Sequence, residues 1–308
     1  MTPAIAGTEL DRAITSNGSL SYNTRRCQVS AAIETHFKGC AIPGIVPPGA
    51  HISPEVAPDE TLDAISGHFR IFQFRDGHRF STDDVLIAWY GTTWASSPRR
   101  VLDLGSGVGS VGMIAAWRLP AASFVTVEAQ AESVRLAAKS AAYNGLLDRY
   151  EIRHADFREP SAFVTGEQFD LALGSPPYFP PGSGIASDDS QRVACRFELR
   201  GDIRDYALVA AGRLAPGGLF ACAFPDVDCG RVEEAATAAG MTIVRRRPVV
   251  FREGERPLIA LFAMMREPDL PSQMHGRTWV EPPLVIRCAN GQVHPEYAAV
   301  KLAVGFPP

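Results

Sequence analysis

The stretch VLDLGSGVGSVG, residues 101–112, decides the fold. Val101–Leu104 reads as a short apolar strand that runs into Gly105, Gly107 and Gly109, and Val108–Arg118 then carries a helical pattern. Strand, glycine turn and helix in that order open a doubly wound α/β sheet, and the turn lies at the carboxyl end of the strand, where such sheets bind ligands. The alternation continues on both counts. Ser123–Glu128, Tyr150–His154, Phe169–Gly174 and Leu219–Phe224 read as strands. Ala131–Asn144, Asp202–Leu214 and Val232–Ala239 read as helices, the second stopped by Pro216-Gly217-Gly218. Met241–Phe251 and Leu258–Met265 complete the pattern as a β-pair. The expected fold is α/β: a Rossmann-like, doubly wound, mainly parallel sheet with a closing antiparallel β-pair, plus an N-terminal extension.

The flanks differ in composition from this centre. Residues 42–58, IPGIVPPGAHISPEVAP, are too rich in Pro and Gly for a long helix and read as a loop, with one short helix expected before it at Arg26–Phe37. The expected division is an extension at 1–65, a Rossmann-like domain at 66–266, and an irregular, Pro-rich C-terminal segment at 267–308 that packs on the core. A chain of 308 residues accommodates this.

Composition narrows the function classes. No apolar run approaches the roughly 20 residues that span a bilayer. The N-terminus has no basic-then-apolar signal pattern, and Glu9 and Asp11 argue against a transit peptide, so no membrane contact and a cytoplasmic location are expected. Cys27, Cys40, Cys195, Cys222, Cys229 and Cys288 form no Cys-x-x-Cys pair, which points to free thiols rather than a zinc site or a disulfide framework. The formal net charge of −4 argues against a large nucleic-acid footprint and leaves room for a local basic patch.

The glycine turn carries the first chemistry. Gly107, Gly109 and Gly112 fit the G-x-G-x-x-G dinucleotide pattern, but Asp103 stands just before the turn, where a dinucleotide would place its pyrophosphate. A carboxylate there repels that ligand and suits one bearing an ammonium and a sulfonium, which describes S-adenosylmethionine. Glu128, at the end of the next strand, is placed to bind the two hydroxyls of a ribose. Asp156, after the third strand, is a candidate acceptor for an adenine amino group, and Phe157 a candidate stacking face.

The second chemistry follows the fourth strand, in Gly174-Ser175-Pro176-Pro177-Tyr178-Phe179. Two prolines hold the strand end rigid and leave carbonyls free to accept. An amino group entering this corner would donate one hydrogen to Ser175 Oγ and one to the Pro176 carbonyl, holding its lone pair toward a sulfonium methyl. Tyr178 offers a flat face for a base, with Phe179 beside it. Positioning for in-line displacement does most of the work, so no metal is expected. Arg196 follows this loop, and Arg245, Arg246 and Arg247 are candidate phosphate contacts.

At these residues the chain resembles a known group. DLGSGVG and SPPY resemble the cofactor and catalytic loops of S-adenosylmethionine-dependent amino-methyltransferases. Phe72-Gln73-Phe74, the run from Arg79 to Leu86, Arg196-Phe197-Glu198 and Pro283 to Arg287 resemble segments of bacterial tRNA1(Val) adenine-N6 methyltransferases. The resemblance implies that Thr82 and Asp83 lie near the donor, that Gly105, Gly107, Glu128 and Asp156 contact it, and that Ser175, Pro176 and Tyr178 hold the target amine. It implies methylation of an exocyclic amino nitrogen of a nucleobase, with adenine N6 in tRNA favoured and nucleic acid as the partner. A protein glutamine amide, cytosine N4, a small molecule, or a non-catalytic donor-binding module remain alternatives. Ser175 stands where the tRNA enzymes carry Asn, and Ser-Pro-Pro-Tyr is the form familiar from cytosine-N4 methyltransferases.

Overall fold

The structure is a computed structural model and describes residues 33–95, 97–179 and 201–307. Its strands are β1 (His36–Phe37), β2 (Cys40–Ala41), β3 (Glu60–Ser66), β4 (Phe69–Phe74), β5 (Arg100–Leu104), β6 (Ser123–Glu128), β7 (Tyr150–His154), β8 (Phe169–Gly174), β9 (Leu214–Pro225), β10 (Met241–Arg252), β11 (Ile259–Arg266), β12 (Trp279–Val280) and β13 (Leu284–Arg287). The α-helices among the described residues are α1 (Thr82–Trp94), α2 (Ser110–Arg118), α3 (Ala131–Tyr143), α4 (Ile203–Arg213), α5 (Cys229–Ala238) and α6 (Pro295–Ala303).

The main sheet runs in the order β12-β10-β11-β9-β8-β5-β6-β7, with β13 also on β10. From β5 to β9 its pairs are parallel, and β11 is antiparallel to both β9 and β10. This is the expected doubly wound sheet with its closing β-pair. The chain travels from β5 out through β6 to β7 and returns to β8 on the other side of β5. That reversal opens a crevice at the carboxyl ends of β5 and β8. Both faces of the sheet are covered, as fully buried Leu102 and Leu104 on one face and Val101 and Leu171 on the other require.

Several elements differ from the sequence expectation. No helix spans Arg26–Phe37 in its described part: His36–Phe37 pairs with Cys40–Ala41 across a Lys38-Gly39 turn, and residues 26–32 lie outside the described residues. Two consecutive positive φ angles, 49° and 78°, set a tight hairpin there, and a hairpin turn overrides weak helical patterning. β9 begins at Leu214 rather than Leu219, because the Pro216-Gly217-Gly218 segment is taken up as a register irregularity against β8. The C-terminal segment is not irregular throughout. Pro295 opens α6 at its first position, where a missing N–H costs nothing, and His294 caps it by accepting from Glu296 N at 3.2 Å. Leu284, Ile286, Val300 and Val304 from this segment are buried in the core.

The β3–β4 hairpin was hidden at the sequence level, and it crosses the 65/66 division. Side chains of α3 and its C-cap hold β4 by its backbone. Asn144 accepts from Arg70 N at 2.9 Å and donates to Arg70 O at 2.8 Å, and Ser140 Oγ accepts from Phe72 N at 2.9 Å. The hairpin in turn fixes the loop that leads to α1. Gln73 Oε1 accepts from Phe80 N at 2.7 Å, and Asp63 pairs with Arg79 at 2.9 Å.

Asn144 is 4% exposed, so its removal leaves an N–H and a C=O of Arg70 without partners in a dry place. Asn144→Ala should lower the unfolding free energy by about 1–3 kcal/mol, measured by urea denaturation. A change inside experimental error would mean that the hairpin is held by other contacts.

Candidate active site

Two adjoining clefts open at the β5–β8 crevice. The first is lined by the glycine turn from Gly105 to Val108, by Asp84, Asp103, Glu128, Asp156 and Phe157, and by Tyr206. The second is lined by Gly77 to Arg79, Asp83 and the run from Ser175 to Phe179. His78, Asp84, Ser175 and Pro177 line both, so the clefts meet at these residues.

Local chemistry explains why the turn holds its shape. Glu128, 6% exposed, accepts from Gly107 N at 2.8 Å through one oxygen and from Gln130 N at 2.7 Å through the other. Both carboxylate oxygens are thereby aimed at the cleft, where a carboxylate can accept from a ligand hydroxyl. Asp103 accepts from Gly112 N at 2.9 Å, tying β5 to the first turn of α2. Gly105 has φ 59°, and a Cβ there would stand 2.1 Å from Tyr206 Oη. At Gly174 a Cβ would stand 2.6 Å from the ring of the same tyrosine. Tyr206, on α4 and 4% exposed, therefore packs between the two loops and sets their separation. Its ring meets Phe157 edge-on at 4.6 Å.

The first cleft is acidic, and its acids Asp84, Asp103 and Glu128 are buried. Asp84 closes a capping box at the start of α1, accepting from Ser81 N at 2.8 Å. Burial pushes its carboxyl up to about 7, and the nearby Asp83 charge adds to this against the hydrogen bonds from Ser81 and Ser110. Burial likewise pushes Asp103 up to about 8, against the Gly112 hydrogen bond, with Asp84 and Glu128 adding repulsion. Ser106 Oγ is buried beside them with no hydrogen-bond partner among the described residues. Such a cleft favours a ligand that brings positive charge and hydrogen-bonding groups.

Ser175 and Pro177 are half-buried, Pro176 is buried and Phe179 is 41% exposed. Tyr178 donates from Oη to Asp83 Oδ2 at 2.8 Å and rests edge-on against Phe224 at 5.7 Å. The Ser-Pro-Pro-Tyr loop is thus held at both ends, by the β8 ladder and by α1.

The predicted residues distribute as follows. Asp103, Gly105, Gly107, Glu128, Asp156 and Phe157 all line the first cleft. Asp83 does not: helix rotation of about 100° per residue turns it to the second cleft and leaves Asp84 in the first. Thr82 lines neither and bonds Tyr297 instead. Asp156 lies at the rim, where Arg158 forks onto it at 2.6 and 3.0 Å. Arg245, Arg246 and Arg247 line neither cleft. They sit on β10, where alternate side chains must point to opposite faces. Arg245 is stacked 3.3 Å from the Trp94 ring and 4.3 Å from that of Trp279, and pairs with Glu281. Arg246 pairs with Asp226 at 2.6 Å and Arg247 with Glu296. All three are thus engaged in ion pairs with acids of other elements. Arg196 lies outside the described residues. Asp84, Ser106, His78 and Tyr206 were missed. The capping pattern Ser81-x-x-Asp84 was a visible signal for the first, and nothing local in the sequence signals the others.

Asp84 and Asp103 are raised above the ordinary aspartate range near 3.8, so the folded chain keeps protons that the unfolded chain releases. Their contribution to stability is full below that range and falls as pH rises toward 7 and 8, by about 1.4 kcal/mol per pH unit per carboxyl. The ligand-free protein should lose melting temperature between pH 5 and 8. Asp84→Asn, which keeps the cap, should flatten that fall. Parallel pH profiles for the two proteins would show that Asp84 does not titrate in this window.

The methyltransferase small domain family matches residues 88–189. The tRNA1(Val) (adenine(37)-N6)-methyltransferase of Porphyromonas gingivalis strain W83 is 29% identical over 238 residues, covering 74% of this chain and 89% of that protein. Its counterpart in Dyadobacter fermentans is 26% identical over 235 residues, covering 74% and 92%. Among solved structures, a predicted O-methyltransferase from Agrobacterium tumefaciens shares the fold, with a TM-score of 0.57 at 18% identity over 73% of this chain and 98% of that one. The matched span runs from inside α1 to beyond Phe179 and so contains β5 to β8 and both loops of the crevice. Residues 88–189 thus form a methyltransferase small domain, whose methyl donor is S-adenosylmethionine.

Proposed function

We propose that the chain methylates an exocyclic amino nitrogen of a nucleobase, adenine N6 in tRNA, with the donor in the first cleft and the target base in the second. The observation that carries this is the junction of the clefts at Ser175 and Pro177. A donor methyl and an acceptor nitrogen must meet in line at one point, and here the amine-binding loop forms that point. The P. gingivalis and D. fermentans relatives, named for adenine-N6 transfer to tRNA, support the choice of acceptor. So does the exposed aromatic side of the second cleft at Phe179.

S-adenosylmethionine supplies a methyl group on a cationic sulfur. The chain's residues supply placement and charge. Glu128 accepts from the ribose hydroxyls, while its bonds to Gly107 N and Gln130 N keep the carboxylate aimed. Asp84 and Asp103 match the cationic groups of the donor, and unpartnered Ser106 Oγ is available to its polar atoms. Phe157 gives the adenine ring an apolar wall braced by Tyr206. In the second cleft Ser175 Oγ and the Pro176 carbonyl accept the hydrogens of the target amine, which turns the lone pair toward the methyl and favours the more basic nitrogen of the transition state. Tyr178 backs the base, its orientation fixed by Asp83.

A cationic donor lowers the pKa of carboxyls beside it, so binding should expel protons that Asp84 and Asp103 hold near neutrality. Calorimetry at pH 7 in buffers of different ionisation enthalpy should register proton release, and donor affinity should rise with pH up to about 8. Glu128→Ala should weaken donor binding by about 1–3 kcal/mol. Buffer-independent heats would remove these carboxyls from the donor's surroundings.

Ser175→Ala should lower turnover on unmodified tRNA by on the order of 10–10³ with donor affinity nearly intact. Ser175→Asn keeps an acceptor with longer reach, and its activity reports whether the pocket tolerates the tRNA-type residue. Labelled-donor assays on tRNA, rRNA, DNA and protein test the acceptor. Transfer to protein alone would overturn the nucleobase assignment.

A further inference from the structure

The β1–β2 hairpin and the end of α6 enclose a third cleft, away from the crevice. Phe37, Ile42, Pro43, Ile65 and Phe306 give it an apolar lining, and Lys38 and Lys301 stand at it. Its floor is fixed by Gly67 N donating to Gly305 O at 2.8 Å, which ties the β3–β4 turn to the end of α6.

The lysines are unusual in two ways. Lys38 occupies the tip of the hairpin at φ 49°, a left-handed conformation that Asn, Asp or Gly adopts at less cost, and an outlier of this kind points to function. Among the described residues no carboxylate pairs with Lys38 or Lys301. Lys301 is half-buried, and its ammonium is pushed below the usual lysine range by burial and then by the like charges of Lys38 and Arg287. The cationic line also continues outside the cleft. Arg287 lies across the β10–β13 pair from Arg252, and both are exposed. Glu255 stands 3.9 Å from Arg252 at the far end, and at the cleft itself Glu34 pairs with the lining Arg70 at 3.4 Å, leaving the two lysines without a carboxylate partner among the described residues.

A lone carboxylate would satisfy two lysines and leave the rest of the line unused. A chain of phosphates follows it. The cleft is also joined to the reaction site by packed side chains. The Phe306 ring lies 6.3 Å from that of Phe80, which lines the first cleft. On the same helix, Tyr297 bonds Thr82, the neighbour of Asp83.

We propose that this cleft is a second nucleotide-holding site for the substrate RNA, taking an unpaired base against Phe37 and Phe306 and its phosphates on Lys38 and Lys301. The proposal rests on the nucleic-acid acceptor argued above. It gives the chain a grip on RNA outside the reacting base. Stacking of an unpaired base on aromatic rings and pairing of its phosphates with cations are additive ways of holding single-stranded RNA.

The test is equilibrium binding of unmodified total tRNA across a salt series, with donor binding measured separately by calorimetry. Lys38→Gln combined with Lys301→Gln should make the slope of log K against log salt shallower by about one to two, while the corresponding Arg pair keeps the wild-type slope. Phe306→Ala should weaken RNA binding by about 5–100-fold with the slope unchanged. Donor affinity should match wild type in the lysine variants, which separates a lost RNA contact from a damaged fold. Wild-type slope in the glutamine pair together with wild-type affinity in Phe306→Ala would overturn the second site. Absence of RNA binding by the wild-type protein, with donor binding intact, would instead overturn the nucleic-acid acceptor.

Discussion

The parallel pairing of β5 with β8 is the constraint on which the site depends. In that register Leu104 faces Gly174, so the two strands end level with each other. Whatever follows each strand must then face the other across the crevice. The glycine turn follows β5 and the Ser-Pro-Pro-Tyr loop follows β8. Tyr206 fills the space between them, and the absence of Cβ atoms at Gly105 and Gly174 lets it in. A larger residue at either glycine would push the loops apart, and with them the two clefts whose junction brings donor and acceptor together.

The acids of the first cleft set a second constraint. Asp84, Asp103 and Glu128 share a site from which water is largely excluded, and three ionised carboxylates there would repel one another strongly. The chain relieves this by holding protons at neutral pH and by spending carboxylate lone pairs on backbone N–H groups of Ser81, Gly112, Gly107 and Gln130. These bonds shape the cleft before any ligand arrives. Charge brought by a cationic ligand then relieves the remaining repulsion, so a cleft that destabilises the empty protein as pH rises is suited to the methyl donor. The same property refines the case against a dinucleotide. With Asp103 raised to about 8, a cationic ligand lowers the cost of ionising the buried acids, whereas an anion raises it further.

Basic residues divide by environment rather than by density. The arginine triplet at 245–247 is the densest basic run in the chain, yet its strand position turns the side chains to alternate faces and into ion pairs and an aromatic sandwich. Lys38 and Lys301 stand far apart in sequence, and folding sets both at one cleft, where no carboxylate among the described residues pairs with either. A run of like charge is locally visible. Whether a carboxylate from another element neutralises it is not.

The sequence by itself determined the strand–turn–helix order, the closing β-pair, the glycine turn with Glu128 after it, and the Ser-Pro-Pro-Tyr loop. These rest on periodicity, on breakers and on short motifs, all of which act within about 20 residues and leave a local pattern. Only the tertiary structure decided that Asp84 rather than Asp83 enters the first cleft, that Tyr206 spaces the loops, and that Asp83 holds Tyr178. It also decided that Asn144 fastens an unsuspected hairpin whose loop borders both clefts. Each of these is a contact between elements distant in sequence. Its existence depends on which face of a helix or strand meets which neighbour, and burial of the whole core fixes that choice where no local preference can.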